Sequence, residues 1–425
     1  MKRSFSGNLV VKNASLLVAA KFIGYIFPLI TLPVLTRALG PNGYGQLQYV
    51  HSIIAFCLLF TEYGTSITAT QKIATANGDE QAIQEIFYRT IFMRLALCVF
   101  AYFGFLVFGM SQHFTANQYL WVTLSFLMPL GEAVNPTWFF IGQQSTAMIA
   151  INTLIARAIA LPLIVLLVRS ENNLTMAAFL TIQPWALSGV LNFFAAKKNL
   201  PKTLMPKMRW TWLVQNLREG FHAAVSNLSA NASQSLATII LGVSAPAVAV
   251  AKFGAALIMT TAAKQVLFPI SQVVFAHSIA IKAQGKTQEA KSKVFAYGII
   301  LLLGIGTWFT IYIAAAFVIP LFFGAKFDGS VPVLKVMAPI PLIFIVGQTA
   351  ALEFLFAKNL GIYVSRATVA GTIVCVSTSV LLASRHQEMG IAIAILAGEV
   401  VATGMILFSA IFAHRKKREG EISCA

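Results

Sequence analysis

PLITLPVLTRALGPNGYGQ, residues 28–46, decides the fold class. It starts inside an apolar run, carries Pro28 and Pro33, and ends in Gly40-Pro41-Asn42-Gly43-Tyr44-Gly45. A proline inside a helix removes one backbone hydrogen bond and bends the axis. A membrane tolerates this where neighbouring helices or polar groups re-satisfy the freed carbonyl. Pro41 and Gly43 let the chain reverse within a few residues, so a second apolar run begins at once. The stretch therefore predicts a kinked membrane helix joined by a tight hairpin to the next.

Composition agrees. Of 425 residues, 58% are hydrophobic and 11% charged, against about 25% charged in soluble domains. The net charge of +17 does not gather on one soluble face, as nucleic-acid binding would require. Cys57, Cys98 and Cys375 sit in apolar runs and Cys424 in the tail, with no disulfide or metal spacing. No Walker loop, metal array, nucleophile elbow or cofactor motif is present, so ATP hydrolysis and enzyme chemistry are not expected.

A membrane helix needs about 20 mostly apolar residues. Twelve runs qualify: 13–35, 44–65, 90–109, 118–141, 148–168, 175–196, 220–242, 250–276, 294–320, 332–356, 362–383 and 390–412. Between the sixth and seventh lies a basic break, 197–219, in which Trp210, Leu213, Leu217 and Phe221 make an apolar stripe suited to the membrane surface. The expected organisation is an N-terminal six-helix lobe (1–196), a linker with an interfacial helix (197–219), a C-terminal six-helix lobe (220–413) and a basic tail (414–425). Ile83, Ile86 and Phe87 add a short surface helix within 66–89. Of 31 Lys and Arg, Arg37, Arg169, Lys326 and Arg385 fall in one set of connections and seven lie within spans. The other twenty occupy the opposite set and the termini. The positive-inside rule then puts both termini in the cytoplasm.

The pattern PLxxLPxLxRxLGxxGYG, filled here by Pro28, Pro33, Arg37, Gly40, Gly43 and Gly45, resembles the first hairpin of Wzx-type O-antigen flippases. These belong to the multidrug/oligosaccharidyl-lipid/polysaccharide exporter superfamily. Asn135-Pro136-Thr137-Trp138-Phe139-Phe140-Ile141-Gly142 resembles the P-x-W-F-x-x-G segment closing the fourth helix of polysaccharide flippases, with Gln143 and Gln144 where an acid often follows. The resemblance implies an all-α polytopic fold, two lobes around a central cleft, and a location in the bacterial inner membrane. It also implies a substrate, oligosaccharide on undecaprenyl diphosphate, and a polysaccharide polymerase and chain-length regulator as partners. The motif residues themselves are expected to be fold determinants.

Charge inside a membrane costs a few kcal/mol and usually faces a partner or a wet cavity. The spans hold Lys21, Arg94, Arg157, Lys252, Lys264, Lys335 and Arg366 against Glu62, Glu132, Glu353 and Glu399, a cationic surplus. Arg94, Lys252, Lys335, Glu353 and Arg366 lie near span ends, where reaching out to the headgroups is the default. Lys21, Arg157 and Lys264 lie deeper and are candidates to line a pathway for an anionic substrate. Glu132 with Arg157, and Glu62 with Arg94, are candidate ion pairs; Glu62, Glu132 and Glu399 are equally candidates for proton coupling. In the seventh span Asn227, Asn231, Gln234 and Thr238 form one polar stripe, either interhelical hydrogen bonding or the wall of a hydrated pathway.

These features predict a flippase moving undecaprenyl-diphosphate-linked O-antigen or related oligosaccharide units from the cytoplasmic to the periplasmic leaflet. A cation-coupled small-molecule exporter of the same superfamily would share the fold. A membrane-embedded polysaccharide polymerase or ligase would need a large outer loop, and none is expected here.

Overall fold

The computed structural model describes the backbone of residues 7–76, 78–198, 200, 210–282, 286–356 and 360–418. It describes side chains for these except 7–26, 210, 222–223, 226, 230, 275–282, 286–296 and 413–418. The first helix, α1 (Gly7–Glu62), has 56 residues, or roughly 80 Å at 1.5 Å each. That is more than twice the hydrocarbon thickness, and the helix breaks at Gly40, where φ is 62° and ψ −179°. Positive φ favours glycine, and a Cβ there would also lie 2.7 Å from Glu171 Oε1. The quoted stretch is thus two membrane helices meeting at one residue.

A short helix, α2 (Thr65–Thr75), follows, and α3 (Glu80–Ser111) begins where the Asp79 side chain accepts from the amides of Gln81 and Ala82. The expected surface helix is therefore α2, whereas Ile83, Ile86 and Phe87 belong to the first turns of α3. Their stripe faces protein: Phe87 packs with Trp138, Phe139, Ile73 and Ala69 in one apolar cluster.

The fourth span is broken into α4 (Ala116–Ser125), α5 (Leu127–Val134) and α6 (Thr137–Gly142). Asn135 is extended (φ −75°, ψ 109°), the conformation that a following proline imposes. α7 (Ala147–Leu167) and α8 (Leu174–Lys197) complete the first six crossings, and α9 (Trp210–Ser244) begins the rest. Trp210, Leu213 and Leu217, expected on a separate surface helix, are the first turns of α9 itself.

Then come α10 (Ala247–Lys282), α11 (Lys286–Phe323), α12 (Ser330–Met337), α13 (Ile340–Ala350) with a π-helical turn at Ala351–Leu355, and α14 (Gly361–Arg418). Like α1, α14 holds two crossings, here meeting at Gln387 (φ 45°, ψ −126°). Among the described residues, eight segments are long and apolar enough to cross a membrane, and two of them, of 49 and 52 residues, are long enough to do so twice. With the broken fourth crossing and the polar α9, the protein is an all-α multi-pass membrane protein of about twelve crossings.

The chain divides into two compact units, Met1–Asn231 and Ala232–Ala425, with the division inside α9. In the first, α5 and α8 touch backbone to backbone: a Cβ on Gly189 would lie 2.1 Å from the Gly131 carbonyl oxygen. In the second, the two halves of α14 approach at Gly371 and Gly398, each within 2.7 Å of the other's carbonyl if given a Cβ. Small residues are what allow membrane helices to pack this closely. Gly189→Val should therefore cost about 1–3 kcal/mol by overpacking. The expected result is a lower midpoint in thermal size-exclusion measurements in detergent; an unchanged midpoint would show that the approach is not constrained.

Candidate substrate pathway

The most polar part of the N-terminal unit is built around Arg94 of α3, which is fully buried (0% exposed). Its Nε donates to Thr65 Oγ1 (2.6 Å) and its Nη1 to the carbonyl oxygens of Glu132 (3.0 Å) and Asn135 (3.2 Å). Nη2 donates to Ser66 Oγ (3.2 Å). Both carbonyls lie where α5 stops before Pro136, and that of Glu132 also accepts from the Asn135 amide at 3.2 Å, so the guanidinium helps close a helix C-terminus. The expectation that Arg94 reaches the headgroups is therefore wrong: the interrupted fourth crossing supplies acceptors at its depth. Glu353 is corrected likewise. It is buried in the π-helical turn and accepts from the Tyr297 hydroxyl at 2.6 Å.

Both expected pairs of the first six helices change. Glu62 meets Arg94 through a hydroxyl: Ser66 Oγ donates to Glu62 Oε1 (2.6 Å) and accepts from Arg94. Glu132 makes no ion pair with Arg157. Its Oε2 accepts from Asn135 Nδ2 (3.0 Å), Asn135 Oδ1 accepts from Asn192 Nδ2 (3.1 Å), and Asn192 Oδ1 accepts from Asn152 Nδ2 (2.8 Å). Three buried amides, from the fourth, fifth and sixth crossings, thus donate in one direction towards a carboxylate. They were missed because Asn152 and Asn192 each stand alone in an apolar helix and meet only in the fold. Arg157 instead lies 5.7 Å from the Phe27 ring, with its Nη1 buried and unbonded.

The second half of α1 carries another missed feature. Tyr44, Gln48, His51 and Glu62 recur at helical spacing, and Gln48, His51 and Glu62 are all partly exposed. Gln48 Nε2 bonds the Tyr44 hydroxyl, His51 Nε2 lies 3.0 Å from Thr181 Oγ1, and Glu62 Oε2 accepts from Asn227 Nδ2 at 3.4 Å. The period was legible in the sequence; attention to charge alone hid it.

On α9, Asn231 Nδ2 donates to Asn227 O (3.0 Å) and Oδ1 (2.9 Å), and Thr238 Oγ1 donates to Gln234 O (2.8 Å). These bonds run along the helix itself rather than across to another. Lys264 of α10 pairs with Glu399 of α14 and sits 4.6 Å from the Phe344 ring. Lys252 likewise pairs with Glu388 at 3.0 Å. The Lys21 side chain lies outside the described residues.

Outside the membrane spans, Lys72 of α2 holds α9 through Glu219 (2.6 Å) and Asn216 (3.0 Å), and the Arg89 guanidinium lies 3.6 Å over the Trp212 ring. The Lys72 ammonium keeps the Glu219 carboxyl below the usual carboxylate range. Because that value is depressed, the tie is fully present above the ordinary carboxylate pKa and is lost as pH falls through the lowered one.

The aromatic residues and Gly142 of the second motif are packing elements. Trp138, Phe139 and Phe140 are all fully buried, and a Cβ on Gly142 would lie 2.7 Å from Ile73 of α2.

The sequence model described as "Polysaccharide biosynthesis protein" matches residues 10–275. The chain belongs to the polysaccharide biosynthesis protein family. It is 24% identical over 418 residues to a "Putative O-antigen transporter" of Escherichia coli (strain K12), covering 93% of this chain and 95% of that one. A protein of the same description from Shigella dysenteriae is 24% identical over 398 residues, covering 92% and 97%. Among solved structures, an inward-facing multidrug resistance MATE family transporter of the MOP superfamily aligns with a TM-score of 0.74 at 14% identity, covering 96% of this chain and 99% of that one. The lipid II flippase MurJ in an inward closed conformation aligns at 0.71 and 12% identity, covering 93% and 88%. At these identities the two structures establish the shared fold.

Two tests follow from the charges. Arg94→Ala takes the charged donor away from the Glu132 and Asn135 carbonyls and from two hydroxyls, a loss of about 3–5 kcal/mol, and should sharply lower folded protein in the membrane. Arg94→Lys should recover only part, because an ammonium lacks the planar fork. Lys264→Ala strands Glu399, and Lys264→Ala with Glu399→Gln should restore much of the lost thermal stability. A double variant no more stable than the single one would contradict the pairing.

Proposed function

We propose that the protein is a flippase for oligosaccharide carried on undecaprenyl diphosphate, moving it from the cytoplasmic to the periplasmic leaflet of the bacterial inner membrane. The observation that carries this is a membrane helix, the second half of α1, with a face of amide, imidazole and carboxylate groups. At its far end that face meets Asn227, the first residue of the α9 stripe. Such groups hydrogen-bond sugar hydroxyls, and a face of them is costly in hydrocarbon unless it lines a wet path. The lipid-linked substrate is supported by the near full-length likeness to proteins described as O-antigen transporters.

In this reading Gln48, His51, Asn227 and Asn231 line the pathway in the N-terminal unit, and Gln234 and Thr238 continue the polar stripe along α9. Arg157 supplies the free cation for the diphosphate, since its Nη1 is unbonded; Lys21 joins it on the sequence evidence alone. Lys264 contributes less, its charge being offset by Glu399. The lobes 1–196 and 220–413, joined by the basic stretch 197–219, are the moving parts. Glu62 and Glu132, on either side of Arg94, are the proposed acids of proton coupling. Protonating Glu62 would weaken its bond to Asn227 and so bias the position of α9. Both termini are cytoplasmic, and the polymerase and chain-length regulator act on the product side.

The direct test is flipping in proteoliposomes loaded with a fluorescent undecaprenyl-diphosphate oligosaccharide, read by quenching from one side. Protein-dependent loss of protection is expected, and Arg157→Ala should slow it about tenfold at normal folded yield. Protection equal to that of empty liposomes would defeat the proposal. Topology is checked separately: reporter fusions at Asn199 and Gly285 should report cytoplasm, and those at Gln112 and Asn172 periplasm. A periplasmic signal at Gly285 would invert the C-terminal half.

A further inference from the structure

We propose that His51 is a proton-binding residue of this transporter, with Nδ1 as the accepting atom. The hydrogen-bond geometry around the ring leads to this. Thr181 Oγ1 donates its only proton to the Ala177 carbonyl oxygen (2.7 Å), so towards His51 Nε2, 3.0 Å away, it can act only as an acceptor. Nε2 therefore carries the hydrogen. In the neutral ring that leaves Nδ1 as a bare lone pair, and no hydrogen bond fills it among the described residues. The side chain is partly exposed. A purely structural histidine in a membrane helix would be expected to use both ring nitrogens.

The neighbouring acids are differently placed. Glu62 accepts from Ser66 and Asn227, and Glu132 from Asn135 at the end of the amide series. Protonating either carboxylate would disturb donors already in position. Protonating His51 disturbs nothing: Nδ1 takes a proton from water, an Nδ1–H bond forms, the ring becomes a cation, and the Nε2–H bond to Thr181 is kept. The elements packed against α1 are α3, α4, α5, α7, α8 and the 3-10 turn Glu171–Asn173. The titratable groups on the membrane portions of the helices are Arg94, Cys98 and Tyr102 on α3, Tyr119 on α4, Glu132 on α5 and Arg157 on α7; α8 has Lys197 only at its last residue, and the turn carries Glu171. None of these hydrogen-bonds or ion-pairs with His51, so a protonated ring has no counter-charge in this conformation. Proton binding therefore favours a different conformation, one in which Nδ1–H meets water or an anion. An imidazolium on the pathway face would be attracted to a diphosphate. This deepens the proposed flippase and rests on it for the link to transport, while proton binding itself can be measured without transport.

The test has two arms on the full-length protein in lipid nanodiscs and proteoliposomes. First, nitrogen NMR of ¹⁵N-histidine-labelled protein, with the His51 signal assigned by difference against His51→Gln, should show an unprotonated Nδ1 and a protonated Nε2 at alkaline pH. The Nδ1 signal should then convert to the protonated form as pH is lowered from about 8 to about 3. Thr181→Ala supplies the assignment if His51→Gln fails to accumulate, and should scramble the tautomer. Second, an imposed pH gradient should change the flipping rate of the native protein. His51→Gln should reduce that gradient response about tenfold, read as the ratio of the rate with the gradient to the rate at equal pH in the same preparation. A protonated Nδ1 at alkaline pH, a ring that does not titrate across this range, or a native gradient response in His51→Gln would overturn the proposal. If no flipping occurs at all, the substrate assignment fails, and the NMR arm alone decides whether His51 binds a proton.

Discussion

Hydrocarbon offers no partner to an open carbonyl, and the first half of this protein is arranged around one place where a helix must stop inside it. α5 stops before Pro136, and Arg94 donates to the carbonyls of Glu132 and Asn135 there while its other donors reach Thr65 and Ser66 at the start of α2. One guanidinium thus ties the third crossing, the broken fourth crossing and the short helix after the second. Glu62 joins through Ser66, and Glu132 through the amides of Asn135, Asn192 and Asn152. The cost of burying a cation is offset by using four of its five N–H donors.

The architecture was largely legible in the sequence because apolar run length and proline placement are local properties. The break at Gly40 appears in the turn that Gly40 to Gly45 predicts. The short helix was misplaced because α2 and the first turns of α3 have similar composition, and only the Asp79 cap separates them. The site was less legible. Ion pairing depends on which helix faces which, so Lys264 found Glu399, 135 residues away, and Arg157 found an aromatic ring instead of Glu132. Depth along a helix also misled: Arg94 and Glu353 sit near predicted ends yet are buried, since protein rather than headgroup lies beside them.

This redistribution of charge reshapes the account of transport. A pathway lined by several unpaired cations would hold a diphosphate tightly and release it slowly. Here Lys252 and Lys264 pair with glutamates, and Arg157 keeps one buried nitrogen without a hydrogen bond. In the proposed flippase this leaves few unpaired cations, which suits a substrate that must leave as readily as it enters.

The central claim is that the polar face of α1 and the start of the α9 stripe meet water inside the membrane rather than only other helices. Single cysteines at Gln48, His51, Asn227 and Asn231, in a background with Cys57, Cys98, Cys375 and Cys424 replaced, can be challenged in native membranes with a small, membrane-impermeant thiol reagent. Phe103 and Leu302, which point outward and are 61% and 71% exposed, serve as lipid-facing references. The account predicts labelling at the polar positions, protection by added lipid-linked oligosaccharide, and none at the references. Polar positions as unreactive as Phe103 and Leu302 would contradict it.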